Sequence, residues 1–208
     1  MVALSGGSTP STLYSLLAQP PFVGQIEWDK AHFFWSDERC VPVENPLSNY
    51  RMAAQRLLSH VPVPPQNVHR APVELGDPQA IAEAYEQTLC QFFRVEPPDL
   101  PRFDLVLLGL GADGHTASLF PGSDLLQEQT RLVASVPAKA PEPARVTFTL
   151  PVINRACAVA FLVSGADKQA SLSAVLAEDT RLPGAQVHPT RGELYWFVDF
   201  SARGRTSK

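Results

Sequence analysis

The chain of 208 residues is long enough for one well-cored domain, which we predict over residues 1–202, followed by a disordered basic tail at 203–208. With 45% hydrophobic and 18% charged residues, the composition is globular and excludes an intrinsically disordered chain. The formal net charge of −4 excludes bulk attraction to nucleic acid or to an anionic membrane, so a bound anion must meet a local group of cations.

The chain begins with a strand that runs into a glycine turn and a helix. Residues 2–4 are the short apolar strand, and residues 5–10 carry the turn Ser-Gly-Gly-Ser-Thr-Pro. Thr9 is predicted to cap the helix and Pro10 to occupy its first position. The buried face of this helix is predicted to consist of Leu13, Leu16 and Leu17.

A second strand and two helices follow. The strand is predicted at residues 31–35 and runs directly into the polar segment 36–39. Ser48 is predicted to cap a helix that reaches about His60, and Asp77 is predicted to cap the next one. The apolar stripe of the second helix recurs with a helical period at Ile81, Tyr85, Leu89, Phe92 and Phe93.

The most informative segment is a buried strand that ends in a glycine-punctuated turn. Residues 103–108 are apolar apart from one aspartate, which is typical of a parallel strand buried on both faces. The turn at 109–115 has three glycines, which let the backbone come close to a ligand, and it contains Asp113 and His115. Histidine is the residue type best suited to move a proton near neutral pH. A short helix is predicted at 116–120.

The rest of the chain alternates strands with short helices. A helical turn is predicted at Pro151, and a longer helix runs from 164–168 through Ala177. Further strands are predicted at residues 132–136, 145–150, 157–163 and 194–198. This alternation predicts an α/β fold with a mainly parallel, open twisted sheet flanked by helices on both faces.

Four polar segments follow predicted strands, and the carboxyl ends of parallel strands meet at one edge of a sheet. These segments are residues 5–9, 36–39, 111–115 and 164–168. Free N–H groups at a helix N-terminus, here those of Gly7, Ser8 and Thr9, suit a phosphate. Lys168 or Arg145 would add a cation to the same site. The four segments therefore predict an anion-binding site at this sheet edge.

The turn at 109–115 allows three interpretations. In the first, His115 acts as a base, and Asp113 either orients it or caps the next helix. In the second, the turn is purely structural, with Asp113 capping the next helix and His115 merely packed. The turn also matches the pattern G-x-G-x-x-G, with Glu128 in the region of a ribose-binding acid, which is typical of dinucleotide sites. That pattern normally opens the first βαβ unit, whereas here it lies in the middle of the chain. Catalysis is the favoured interpretation.

Each of the other candidate residues also has a structural role as an alternative to a binding role. Arg39 is a candidate phosphate ligand or the partner of Asp37 or Glu38 in a loop-shaping ion pair. Lys168 is a candidate ligand or an ordinary solvated lysine. Polar residues at helix starts more often cap than bind, which makes three further candidates weaker. These are Asn49, Arg51 and Asn154.

Taken together, the segments resemble the 6-phosphogluconolactonase family over nearly the whole chain, and in the right order. The matching motifs are Leu4-Ser-Gly-Gly-Ser-Thr-Pro10, Trp35-Ser-Asp-Glu-Arg39, Ser48-Asn-Tyr-Arg-Met-Ala53, Gly109-Leu-Gly-Ala-Asp-Gly-His-Thr-Ala-Ser-Leu-Phe-Pro-Gly122 and Arg145-Val-Thr-Phe-Thr-Leu-Pro151, with Asn154 and residues 163–168. Such proteins usually have a helix before the first glycine turn. We expect that helix to be missing from the domain at 1–202.

The resemblance implies hydrolysis of 6-phospho-D-glucono-1,5-lactone to 6-phospho-D-gluconate, with His115 and Asp113 as the catalytic residues. It implies no cofactor and no metal, and a sugar-phosphate lactone as the partner. The implied substrate- and phosphate-binding residues are Gly6, Gly7, Ser8, Thr9, Asp37, Arg39, Asn49, Gly111, Arg145 and Lys168.

Two other functions compete with lactone hydrolysis. The glucosamine-6-phosphate isomerases or deaminases share the fold but usually have Asp-Glu-Tyr at 37–39 and Asn-Glu-Pro near 118–121. An aldose-ketose isomerase needs a carboxylate to move a proton between carbons, and Leu119 and Phe120 supply none. The second alternative is a non-catalytic sugar-phosphate sensor, which would not need a base at His115.

Cysteine and apolar patterns indicate the compartment. The three cysteines are widely separated without C-x-x-C spacing, which predicts reduced thiols, and the five histidines show no metal-type spacing. The longest apolar run, 156–163, is too short to span a bilayer, and no signal peptide is visible. We expect a cytoplasmic monomer or weak homodimer that binds neither nucleic acid nor membrane.

Overall fold

The computed structural model describes residues 1–204 and contains two sheets and six α-helices within that range. The strands are β1 Val2–Leu4, β2 Phe33–Trp35, β3 Asp37–Arg39, β4 Leu105–Leu108, β5 Val133–Val136, β6 Arg145–Phe148, β7 Ala158–Val163 and β8 Glu193–Val198. The helices are α1 Ser8–Leu17, α2 Asn49–Arg56, α3 Pro78–Phe93, α4 Leu150–Asn154, α5 Gln169–Leu176 and α6 Phe200–Arg203.

The larger sheet is parallel throughout, with the strand order β2-β1-β4-β7-β8. Its central strands are apolar on both faces, so alternate residues enter two separate cores. Leu107 and Ala160 pack with residues of α1 and α2 in one core, whereas Val106 and Val159 pack with residues of α4 and α5 in the other. The predicted α/β fold with helices on both faces is confirmed.

The second sheet has three antiparallel strands in the order β3-β6-β5 and was not predicted. β5 and β6 lie close to the predicted strand positions, but they pair with each other and with β3 instead of joining the parallel sheet. β3 has the sequence Asp-Glu-Arg and is separated from β2 by Ser36 alone, so its polar composition conceals a strand. Antiparallel pairing between 37–39 and 145–147 satisfies its backbone groups.

The first helix differs from its prediction in its cap and its buried face. α1 begins at Ser8 after Gly7, whose φ of 105° favours glycine, and Thr9 lies inside the helix instead of capping it. Leu16 is 49% exposed, while Tyr14 is fully buried and its hydroxyl donates to the Ser5 carbonyl. The predicted roles of Thr9 and Leu16 are therefore wrong.

The segment after His115 forms no helix, so the prediction at 116–120 is wrong. Thr116 and Leu119 form a bridge between their main chains, and Ala117 has a φ of 48°. A left-handed residue closes this tight turn and is incompatible with a continuing α-helix.

Several boundaries also differ from their predictions. α2 ends at Arg56, and a short 3-10 turn covers 58–60. Leu150 begins α4 instead of ending a strand. The predicted tail at 203–208 starts on Arg203, which is the last residue of α6, and its residues 205–208 lie outside the described part of the chain.

The strand order places a crevice at the carboxyl edge of the larger sheet. From β1 the chain crosses to β2 on one side and later returns to β4 on the other. The turns that follow β1 and β4 therefore diverge, which is where open α/β sheets bind ligands. Within residues 1–204, none of the helices is both long enough and apolar enough to cross a membrane.

Candidate active site

A single cavity at this crevice collects the four polar segments. It is lined by Ser5, Gly6, Gly7, Ser8, Thr9, Pro10, Asp37, Arg39, Asn49, Gly109, Leu110, Gly111, His115, Ala117, Arg145, Leu162, Ser164 and Lys168. Every catalytic and substrate-binding residue that the family resemblance implies is among them except Asp113, and Asp113 contacts the cavity through His115. The segments that are far apart in the sequence do converge, while the chemical role of each residue stays a prediction.

The first wall of the cavity is the N-terminus of α1. The positive φ of Gly7 turns the chain into the helix, and Gly7 has no side chain that could cap it. The first N–H groups of an α-helix have no partners within the helix, and the helix dipole favours an anion beside them. The turn at residues 6–9 is therefore suited to a phosphate group.

Asn49 connects this turn with Asp37 and Arg39 of β3. Its amide nitrogen donates to the Asp37 carbonyl at 2.9 Å, and its amide oxygen accepts from Nη1 of Arg39 at 2.7 Å. A Cβ on Gly6 would overlap the Asn49 amide group. Glycine at position 6 is thus required by the close approach of the first turn to α2.

The three cations of the cavity differ in the partners that they already have. Arg145 pairs with Glu142 at 2.5 Å, and Lys168 pairs with Asp167 at 2.9 Å. Arg39 donates to the carbonyl of Leu47 and to Asn49, and its buried Nε has no hydrogen-bond partner among the described residues.

The predicted ion pair of Arg39 with Asp37 or Glu38 is not formed within residues 1–204. The eight ion pairs of this range do not include Arg39, and Glu38 binds the backbone N–H of Arg39 rather than its guanidinium. Both hydrogen bonds of the Arg39 guanidinium, to the Leu47 carbonyl and to Asn49, come from Nη1, which leaves Nη2 without a partner among the described residues. A ligand acceptor at Nη2 would therefore add a charge-assisted hydrogen bond. Arg39 is the cation of this cavity most clearly prepared for an external anion.

The turn after β4 brings an imidazole and carboxylate pair to the same cavity. His115 Nδ1 lies 2.6 Å from Asp113 Oδ1, which also accepts from the His115 backbone N–H at 3.1 Å. Partial burial raises the pKa of the Asp113 carboxyl, but these hydrogen bonds and the imidazole charge outweigh it, so the pKa lies below its usual value. An ionised Asp113 holds the hydrogen on Nδ1 and leaves Nε2 free to accept a proton. Because no helix follows this turn, Asp113 has none to cap.

Phe120 and Ser118 support this pair, and sequence reasoning assigned a role to neither. The Phe120 ring lies 4.8 Å from the His115 ring, and the Arg145 guanidinium lies 5.6 Å from the centroid of Phe120. Ser118 donates to Asp37 Oδ2 at 2.7 Å and so joins the histidine turn to β3. Their sequence signal is that both lie in the family motif at 109–122, within five residues of His115.

The dinucleotide interpretation receives no support from this geometry. Glu128 is not among the cavity residues, because its carboxylate binds Thr130 and Arg131, and hydrogen bonds led by the Thr130 N–H lower its pKa to about 2. Asn154 also lies outside the cavity, where its amide binds the Gln186 carbonyl and the His188 N–H. Arg51 is not among the lining residues either. Over residues 1–204, no group of three or more metal-ligating side chains is arranged to hold an ion.

Fold and cavity together define an α/β protein in which a helix N-terminus, three cationic side chains and an oriented imidazole line one cavity. The family model described as "Glucosamine-6-phosphate isomerases/6-phosphogluconolactonase" matches residues 1–196. The chain therefore belongs to this family, and the family resemblance predicted from the motifs is confirmed.

Individual relatives agree with this assignment. The chain is 46% identical to 6-phosphogluconolactonase of Synechocystis sp., over 97% of this chain and 82% of the relative. It is 43% identical to the protein of the same name from Nostoc sp., over 99% of this chain and 84% of the relative. The solved 6-phosphogluconolactonase of Trypanosoma brucei superimposes with a TM-score of 0.85 at 33% identity, over 97% of this chain and 84% of that one.

Proposed function

We propose that this protein hydrolyses 6-phospho-D-glucono-1,5-lactone to 6-phospho-D-gluconate in the oxidative pentose phosphate pathway, with His115 assisting the attack of water. The observation that carries the proposal is the oriented His115–Asp113 pair in the same cavity as the α1 N-terminus and Arg39. A base and an anion site in one cavity suit an ester that also carries a phosphate. The names of the relatives support the same substrate.

The proposed reaction is acyl transfer to water. Nε2 of His115 takes a proton from a water molecule as its oxygen bonds to the lactone carbonyl carbon, and the carbonyl oxygen becomes an oxyanion. When the carbonyl re-forms, the bond to the ring oxygen breaks and the imidazolium returns the proton to that oxygen. Asp113 stabilises the imidazolium between these steps through its 2.6 Å contact with Nδ1. The products are the open-chain carboxylic acid and an unchanged imidazole.

The phosphate of the substrate is proposed to bind at the wall of the cavity that the α1 N-terminus forms. The N–H groups of Gly7, Ser8 and Thr9 supply hydrogen-bond donors there, as does Nη2 of Arg39, which has no partner among the described residues. Arg145 and Lys168 each have a carboxylate partner, so both would exchange or share that partner when the phosphate enters. Arg39 and the helix N-terminus have no carboxylate partner to give up, so they are the primary anion ligands in this proposal.

The deciding experiment is a lactonase assay on freshly prepared 6-phosphogluconolactone, corrected for spontaneous hydrolysis. Glucosamine 6-phosphate is assayed in parallel for isomerisation or deamination, and 6-phosphogluconate binding is measured by calorimetry. Turnover of the lactone alone supports the proposal. Turnover of the amino sugar would establish the isomerase alternative, and binding without any turnover would establish a sensor.

Lys168→Ala is expected to raise KM for the phosphorylated lactone about tenfold with little change in kcat, because charge-assisted hydrogen bonds contribute about 1.5–3 kcal/mol and act here on the remote phosphate. The matched control is Lys30→Ala, which removes an exposed lysine that also has a neighbouring carboxylate partner, Glu27, but lies outside the cavity. An unchanged KM in the Lys168 variant would remove this lysine from the site.

Three further expectations stay predictions: localisation in the cytoplasm, independence of cofactors and metals, and a monomeric or weakly dimeric state. Chelator treatment tests the second. Activity that survives extensive dialysis against a chelator is the expected result, and a loss restored by one divalent cation would contradict it.

A further inference from the structure

Glu38 is a buried carboxylate that lines no part of the cavity, although it lies between two residues that do. Only 2% of its surface is exposed. Oε1 accepts from the backbone N–H groups of Arg39 and Asn49, each at 2.7 Å. Oε2 accepts from the Tyr50 N–H at 2.7 Å and from the Ser48 hydroxyl at 3.1 Å. Four donors therefore converge on one side chain.

These donors show that Glu38 shares the capping of α2. Ser48 is the N-cap of α2 and accepts from the Arg51 N–H, which leaves the N–H groups of Asn49 and Tyr50 to Glu38. A single side chain within the helix segment caps α3, where Asp77 accepts from Ala80. The second cap of α2 comes instead from β3, so it fixes the helix against the strand that carries Asp37 and Arg39.

The arrangement also has an electrostatic cost. Burial raises the pKa of Glu38, and the N–H groups of Tyr50, Asn49 and Arg39 offset this effect only in part. A serine cap alone would satisfy one donor of the helix without burying a carboxylate. What the carboxylate adds is a fixed position for α2 relative to β3.

That position matters because the two residues on Oε1 are cavity residues. The main chains of Arg39 and Asn49 meet at one carboxylate oxygen, and their side chains meet again at 2.7 Å, beside Gly6. A shift of α2 would move the Asn49 amide away from the Arg39 guanidinium. Without this contact the guanidinium would lose one of the two acceptors that orient it.

We infer that Glu38 is a positioning residue for anion binding, which acts by fixing Asn49 and Arg39 through the first turn of α2. The inference deepens the proposed function and rests on it. Glu38 touches neither the anion nor the reacting atoms. Its loss should therefore weaken the binding of the phosphate and leave the chemistry at His115 nearly intact.

The test is Glu38→Gln, which keeps the size of the side chain but replaces an acceptor oxygen by a donor. KM for the phosphorylated lactone and the inhibition constant for inorganic phosphate should both rise about tenfold, with kcat within about twofold. The matched control is Asp77→Asn, which makes the same carboxylate-to-amide change at the cap of α3. This control should lower Tm and leave both constants unchanged.

A purely structural role for Glu38 predicts a different result. If Glu38→Gln lowers Tm as Asp77→Asn does, and both constants stay at their wild-type values, the inference is overturned. A double-mutant cycle tests the route of the effect, because Glu38→Gln should add little to the KM of Arg39→Ala. Full additivity would also overturn it.

Two further measurements keep the test decisive. If Glu38→Gln does not fold, Ser48→Ala removes the longest of the four hydrogen bonds to Glu38, together with the serine cap on the Arg51 N–H, and should raise the phosphate constant by a smaller factor. No rise in this variant would count against Glu38. If the wild-type protein does not hydrolyse the lactone, the proposed function fails, but the inference about Glu38 can still be tested. Calorimetric affinities for inorganic phosphate then still compare wild type with Glu38→Gln.

Discussion

His115→Asn should lower kcat for the phosphorylated lactone by about two orders of magnitude or more, since a positioned general base contributes typically 10²–10⁴-fold. The asparagine side chain can still reach Asp113, so the turn keeps a polar contact, but no atom is left to accept a proton. KM should change little, because the phosphate is proposed to bind at the α1 N-terminus and Arg39 rather than at His115. The measurement is steady-state hydrolysis corrected for the spontaneous rate.

The control for this variant is His188→Asn, since the imidazole of His188 is exposed and lies outside the cavity. It should have wild-type kcat and KM. Circular dichroism and Tm should show that both variants are folded. Near-normal turnover in a folded His115→Asn protein would refute the role of the imidazole as the base.

The elements that sequence patterns located correctly are those defined by local apolar runs. β4 is one example, because a run of buried aliphatic residues followed by closely spaced glycines restricts both the strand and its end. The caps Ser48 and Asp77 are others, since each side chain accepts from a backbone N–H three residues later. The parallel order of the larger sheet followed from the alternation of these strands with helices.

What sequence patterns missed depends on contacts between distant residues. β3 is a strand only because β6, more than one hundred residues later, pairs with it. The turn after His115 is held by the left-handed Ala117, and alanine gives no local sign of that conformation. Patterns predicted that four segments would form one cavity. They could not predict which cation has a free donor, because that depends on the placement of Glu142 and Asp167.

Gly111→Ala should abolish most of the activity through steric displacement of the catalytic pair. Gly111 needs no positive φ, so alanine is compatible with its backbone and should cost little stability. However, an added Cβ would overlap the His115 imidazole and lie 2.5 Å from Asp113 Oδ1. The pair must therefore separate or rotate. A displacement of about 1 Å can cost 10²-fold in rate, and we expect a loss in kcat of that order with KM much less affected.

The same strand end provides the control for this effect. A Cβ at Gly109 meets no atom within 4 Å, and Gly109 also lacks a positive φ, so Gly109→Ala makes the same chemical change two residues earlier. Its kcat should stay within about threefold of wild type, because the placement of the imidazole governs the rate. Equal losses in both variants would show that the turn tolerates no side chain at all. A loss confined to Gly111→Ala ties the rate to the 2.6 Å contact between Nδ1 and Oδ1.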